Sequence, residues 1–90
     1  MGKKSGCSRE VKGWKCLYSK ITNIGEKQLW ENTKTKRDYV FITPGGDGYL
    51  VQYGQGKDVK EHPHRSETFV KRKTFDAAVN VAIKWMGKNG

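Results

Sequence analysis

Tyr39-Val40-Phe41-Ile42-Thr43-Pro44-Gly45-Gly46-Asp47-Gly48-Tyr49-Leu50-Val51-Gln52-Tyr53 is the stretch that decides the fold. Two runs of β-branched and aromatic residues flank a segment containing three glycines, which accept the positive φ that a tight hairpin loop needs. The runs 39–43 and 49–53 are therefore expected to be paired antiparallel strands. Side chains alternate between the faces of a strand. That alternation gives Tyr39, Phe41, Tyr49, Val51 and Tyr53 as one set and Val40, Ile42 and Leu50 as the other, with the relative register across the loop not fixed by the sequence.

Weaker signals of the same kind lie on both sides. Trp14-Lys-Cys-Leu-Tyr-Ser-Lys-Ile-Thr22 alternates imperfectly but is rich in strand-favouring types, and it ends at the turn-like Asn23-Ile-Gly25. Gln28–Asn32 and Thr68–Arg72 read as further strands, and the charged segment from Gly54 to Arg65, interrupted by Pro63, reads as a loop. Beyond it, Phe75, Ala78, Val79, Ala82, Ile83 and Met86 recur at helical spacing. Thr74 stands where an N-cap oxygen is wanted, Asp76 adds a first-turn negative charge, and Gly87 and Gly90 mark the helix end. The expected fold is α+β: a small antiparallel sheet of four or five strands followed by one C-terminal amphipathic helix packed on one face. Residues 1–12 read as a flexible basic arm and residues 13–88 as one domain, which is all that 90 residues permit.

Charge supplies the functional lead. Eighteen Lys and Arg against nine acids give a net charge of +9, yet no basic residue falls between Asp38 and Gly56. Cations gather around that gap as Lys34, Lys36 and Arg37 before it, Lys57, Lys60 and Arg65 after it, and Lys71, Arg72 and Lys73 ahead of the helix. A field of one sign attracts polyanions and gives non-specific affinity for phosphates. If the aliphatic set packs on the helix, Tyr39, Phe41, Tyr49 and Tyr53 lie on an open sheet face, where rings can stack on unpaired bases inside a cationic frame. The Lys71–Lys73 triplet runs into a helix N-terminus, which itself favours anions. If the aromatic set packs inward, those rings are ordinary core.

Other chemistries find less support. His62 and His64 with Cys7 and Cys16 could supply four zinc ligands, but their spacing matches no common zinc motif, so no metal or other cofactor is expected. The acids are scattered, and Gly45-Gly46-Asp47-Gly48 sits in a hairpin rather than between a strand and a helix, as a nucleotide-binding loop requires. No enzyme is expected. Gly2 follows Met1 as in a myristoylation site, but Gly6 stands where Ser or Thr is wanted. No run is long and apolar enough for a membrane helix, and the N-terminus lacks a secretory signal's apolar core. Two cysteines make no disulfide framework, although a Cys7–Cys16 bridge is compatible with the sequence, and an intracellular, cytoplasmic protein is expected.

Several strands followed by one helix is an architecture similar to that of the single-stranded-DNA-binding transcriptional coactivators and the Whirly-type domains. The triplet Lys71-Arg72-Lys73 before a C-terminal helix also resembles the double-stranded-RNA-binding domains. That family has a helix before its strands and a lysine-rich helix start, where this chain has a glycine-rich arm and Thr74-Phe75-Asp76-Ala77. Both likenesses imply nucleic acid as partner, and neither establishes it. The expected function is a non-catalytic nucleic-acid-binding module for single-stranded or loosely structured DNA or RNA. The alternative is a protein-interaction or homodimerization module whose charge provides solubility.

Overall fold

The computed structural model describes residues 10–89 of the chain. Five strands, β1 (Trp14–Thr22), β2 (Gly25–Asn32), β3 (Asp38–Gly45), β4 (Gly48–Gln55) and β5 (Glu67–Arg72), form one antiparallel meander in the order β1-β2-β3-β4-β5. A C-terminal helix packs on one face of this sheet, the expected α+β layer. Between β4 and β5 the chain makes a short helix, α1 (Lys57–Glu61), and a 3-10 turn (Pro63–Arg65), where the sequence reads as loop. Val59 alone in α1 is apolar enough to be buried, so the segment has no periodic signal to read.

The C-terminal helix, α2 (Phe75–Asn89), begins as expected: the Ala77 N–H donates to Thr74 Oγ1 at 3.1 Å, satisfying one of the orphan donors of the first turn. It continues through Gly87, which does not end it. Ala78, Val79, Ala82 and Met86 pack from α2 onto Trp14, Trp30, Val40, Ile42 and Val51 of the sheet. Trp14 closes the far end of this core, its indole Nε1 donating to the Met86 carbonyl at 3.1 Å. The Trp30 indole donates to Gln28 Oε1 at 2.6 Å, so that both buried polar groups are satisfied. Ordered contacts begin before β1, since Val11 bridges to Trp14 and packs against the same core. The rest of the expected arm, residues 1–9, lies outside the described residues, as does Gly90.

The hairpin at the centre forms, but its side chains are not distributed as expected. Gly45 pairs with Gly48, leaving the two-residue turn Gly46-Asp47 with Gly46 at φ +61°, glycine at the first turn position as a type II′ turn uses it. A two-residue turn pairs even positions of β3 with odd positions of β4: Val40 with Tyr53, Ile42 with Val51, Pro44 with Tyr49. Tyr49, Val51 and Tyr53 therefore join Val40 and Ile42 on the helix side. Tyr39 and Phe41 face the opposite way, with Leu29 and Val59 and with Leu17 and Tyr18 packed against them. The expected aromatic set is split between the two faces of the sheet. The imperfect alternation of β1 has a cause of the same kind, a bulge between Cys16 and Tyr18 that turns both Leu17 and Tyr18 toward the second cluster.

Candidate nucleic-acid interface

At the end of the sheet where β3 begins, a rigid turn presents the first basic cluster. Asn32 is buried at the end of β2, and its Oδ1 accepts the N–H groups of Lys34 at 2.8 Å and Thr35 at 3.1 Å. Its carbonyl accepts the Lys36 N–H at 2.9 Å, and Thr33 is tied to the Gly13 carbonyl at 2.9 Å. Lys36 sits at φ 54°, a left-handed conformation that costs a non-glycine residue roughly 1–2 kcal/mol. The turn holds Lys34, Lys36 and Arg37 exposed.

The second cluster is attached to the first. The Gly56 N–H donates to the Arg37 carbonyl at 2.6 Å, fixing the start of α1 beside the β2–β3 turn. Val59 anchors α1 by seating on the Cβ-less backbone of Gly54, while Lys57 and Lys60 point into solvent. Arg65 is engaged in an ion pair with Asp58 and is the least available of this group. The structure thus brings Lys34, Lys36, Arg37, Lys57 and Lys60 to one end of the sheet.

Lys71, Arg72 and Lys73 lie at the other end, a strand length of about 25 Å away. They line a cleft of about 230 Å³ together with Gly45, Asp47, Gly48 and Tyr49, next to the start of α2. Arg72 pairs across from Tyr49 and Lys71 from Leu50, so the alternation sends neighbouring members of the triplet to opposite faces. The Arg72 guanidinium bends back to the Lys71 carbonyl at 2.8 Å.

The four candidate stacking rings are largely occupied. Tyr39 and Phe41 are each 2% exposed, and Tyr39 Oη lies 3.1 Å from Glu31 Oε2 and 3.2 Å from the Lys36 carbonyl oxygen. Tyr49 is half-buried against the Phe75 ring, centroids 5.6 Å apart. The Tyr53 hydroxyl donates to Asp38 Oδ1 at 2.9 Å. Burial, the hydrogen bond and the negative charge of Asp38 together push the Tyr53 phenol up to about 12. Sequence reasoning missed another half-buried ring: Tyr18 carries the Lys20 ammonium 4.8 Å from its centroid and that of Lys27 at 6.0 Å. Lys20 and Lys27 are also direct cross-strand partners, a like-charge pairing that costs stability. The cross-strand register that joins them to Tyr18 depends on the β1 bulge.

The histidines and cysteines do not converge. Cys16 packs on the helix-side core, whereas His62 and His64 follow α1 on the other face, with their rings 5.7 Å apart. Among the described residues no three His, Cys, Asp or Glu side chains are grouped to hold a metal ion. Cys16 is disulfide-bonded, and Cys7 lies outside the described residues. Among the described residues no helix is long and apolar enough to cross a membrane. Compared with known proteins, the chain matches no family model, no curated protein and no solved structure.

Proposed function

We propose that this chain is a non-catalytic nucleic-acid-binding module that holds phosphates on its cationic surface. One observation carries the reading. Of the Lys and Arg side chains among the described residues, all but Lys27 are exposed, and Arg65 alone is neutralised by an ion pair. Exposed, unpaired cations retain the counterion-release free energy that drives phosphate binding. The five cations gathered around the β2–β3 turn and α1 form the principal contact, and the Lys71–Lys73 cleft a second one. Base stacking plays a smaller part than the sequence suggested, because Tyr39 and Phe41 are closed off. A preference for single-stranded or loosely structured nucleic acid then rests on Tyr18 with its two lysines.

Titration of labelled single- and double-stranded oligonucleotides over a range of salt tests the reading. Log affinity is expected to fall linearly with log salt, and replacing Lys34, Lys36 and Arg37 together by Glu is expected to flatten that slope by about two to three units. Binding that is absent, or unchanged by salt, removes the proposal. A homodimer formed through the sheet edges is the second reading, favoured by the outer positions of β1 and β5 in the sheet and by the exposed Phe69 on β5. A solution mass of twice the chain that falls to one on Phe69→Lys would support it.

A further inference from the structure

The strand register sorts charge between the two faces of the sheet. Directly opposed residues share a face and alternate residues return to it, so every charged strand residue has a side. Lys27 lies two positions from Leu29, Lys20 is paired across from Lys27, and Lys15 is paired across from Glu31. Lys71 is opposite Leu50, which is opposite Thr43, two positions from Phe41. Lys15, Lys20, Lys27 and Lys71 therefore stand on the face of Leu29, Tyr39 and Phe41, away from α2. The one strand acid with them is Glu31, whose Oε2 lies 3.1 Å from the Tyr39 hydroxyl. The helix side has the reverse balance, Glu26, Asp38 and Glu67 against Arg72.

Between the cations on this face lies a neutral, hydrogen-bonding row. Gln52 is opposite Phe41 and Thr68 is opposite Gln52, so Thr43, Gln52 and Thr68 cross β3, β4 and β5 side by side. The Thr43 hydroxyl donates to Gln52 Oε1 at 3.0 Å, and the Gln52 amide donates to Thr68 Oγ1 at 3.1 Å. Gln52 has a second amide N–H and the exposed Thr68 a hydroxyl proton to offer an outside acceptor. At one end of the row α1 seats Val59 on Gly54, with Lys57 and Lys60 exposed beside it. Lys27 and Lys71 stand at the other end, and the four residues from Gly54 to Leu50 span about 13 Å of strand.

An uncharged polar row framed by cations discriminates between forms of nucleic acid. A flat sheet face cannot enter the grooves in which a duplex displays its base edges, so a duplex brings only phosphates to the row. A single strand has unpaired base edges to lay there while its phosphates reach the lysines at either end. We infer that a short single strand lies across the open face over Thr43, Gln52 and Thr68, its backbone held by Lys57 and Lys60 at one end and by Lys27 and Lys71 at the other. The acidic helix side takes no part. This inference rests on the nucleic-acid reading above and narrows it to one face of the sheet and one form of the polymer.

The full chain is titrated with a labelled oligothymidine of about eight nucleotides, and with the same strand in a duplex as the second arm. Replacing Lys27 and Lys71 together by Gln is expected to weaken the single strand about tenfold at ordinary ionic strength and to lower the salt slope by about 1.4, roughly 0.7 for each phosphate. Lys84→Gln with Lys88→Gln removes the same charge from the exposed side of α2 and is expected to leave affinity unchanged. Circular dichroism checks that each variant folds. In NMR spectra the amides of Thr43, Gln52 and Thr68 are expected to shift on titration while those of α2 stay in place. Equal weakening by the two double variants, a duplex bound as tightly as the single strand, or shifts confined to α2 overturns the inference and leaves the nucleic-acid reading standing. Shifts at the open face on dilution alone assign it to a second copy of the chain and overturn the inference as well. Absence of binding to any oligonucleotide removes the functional reading, and the inference with it.

Discussion

The two faces of the sheet are closed by different means. On one side a 15-residue helix lays Ala78, Val79, Ala82 and Met86 across the strands, and small residues let its backbone come close to Trp30, Val40, Ile42 and Val51. On the other, a five-residue helix contributes one side chain, Val59, and the cover over Leu29 and Phe41 is completed by Leu17, Tyr18 and the sheet's own Tyr39. The first face is a layer packed on a layer. The second is a patch of aromatic and aliphatic side chains sealed by one valine. The sheet thus has a cooperative side and a side held by local geometry, and the cationic segments belong to the latter, since Lys57 and Lys60 travel with Val59.

The largest test of this difference is in the cores. Trp30 is 1% exposed and its indole satisfies Gln28, so Trp30→Ala removes a large buried ring and leaves a buried amide oxygen without its donor. The expected loss is about 3–5 kcal/mol, a large fraction of the stability of a domain this size, read from the urea midpoint. Phe41→Ala on the other face is expected near the bottom of the same range, because a patch with one lid can collapse into the space. Equal losses would mean that the second face is as cooperatively built as the first.

A smaller change isolates the lid. A Cβ on Gly54 would run into both methyl groups of Val59 and stand 3.2 Å from the Ser66 Cβ. Val59 is β-branched and cannot swing aside. Gly54→Ala is therefore expected to push α1 off the sheet at a cost of about 1–3 kcal/mol. The amides of residues 57–61 should then exchange faster, while those of α2 should remain protected up to the lowered global stability. If α1 carries part of the phosphate contact, oligonucleotide affinity falls as well. Uniform loss of protection over both helices would show that the two faces unfold as one.

The same contrast governs what could be read in advance. The strands and α2 were legible because each has a periodic pattern and a residue that ends it, such as the glycine turn at 45–48 and the Thr74 cap. Face assignment was not, and it turned on loop length: a five-residue loop over 44–48 pairs odd positions of β3 with odd positions of β4, whereas the two-residue turn pairs odd with even. Gly46-Asp47 with Gly at the first turn position was the signal that would have decided it. The β1 bulge and α1 left no comparable trace, since the one blurs an alternation and the other shows a single valine among charges. The cationic clusters were legible as composition. That Arg37 and Gly56 hydrogen-bond, and so join two of them, is a fact of tertiary structure.

The smallest expected effect compares a tyrosine on each face. Tyr53 on the helix side donates to Asp38, and Tyr39 on the other lies against Glu31. Burial raises both phenols above the ordinary value of 10.0, and the neighbouring carboxylate raises them further, Tyr53 to about 12. A raised phenol keeps its proton in the folded chain after the unfolded chain has lost it. The stability each contributes is therefore fully present below pH 10 and declines as pH rises, for Tyr53 through the window up to about 12. Asp38 has the opposite dependence: its carboxyl is lowered in the folded state, so its contribution is present above its ordinary value of 3.8 and is lost as pH falls below that. Tyr53→Phe is expected to reduce both slopes, because it removes the alkaline titration and one of the donors that hold Asp38 ionised. Tyr39→Phe is expected to reduce the alkaline slope alone, since Asp38 is not its partner. Urea midpoints of the wild type and the two variants, measured from pH 3 to pH 11, make the comparison. An acid limb that changes equally in both variants would mean that Asp38 is held by Thr35 and Gln55 without help from Tyr53, and that the helix-side pair is no more than two neighbours in contact.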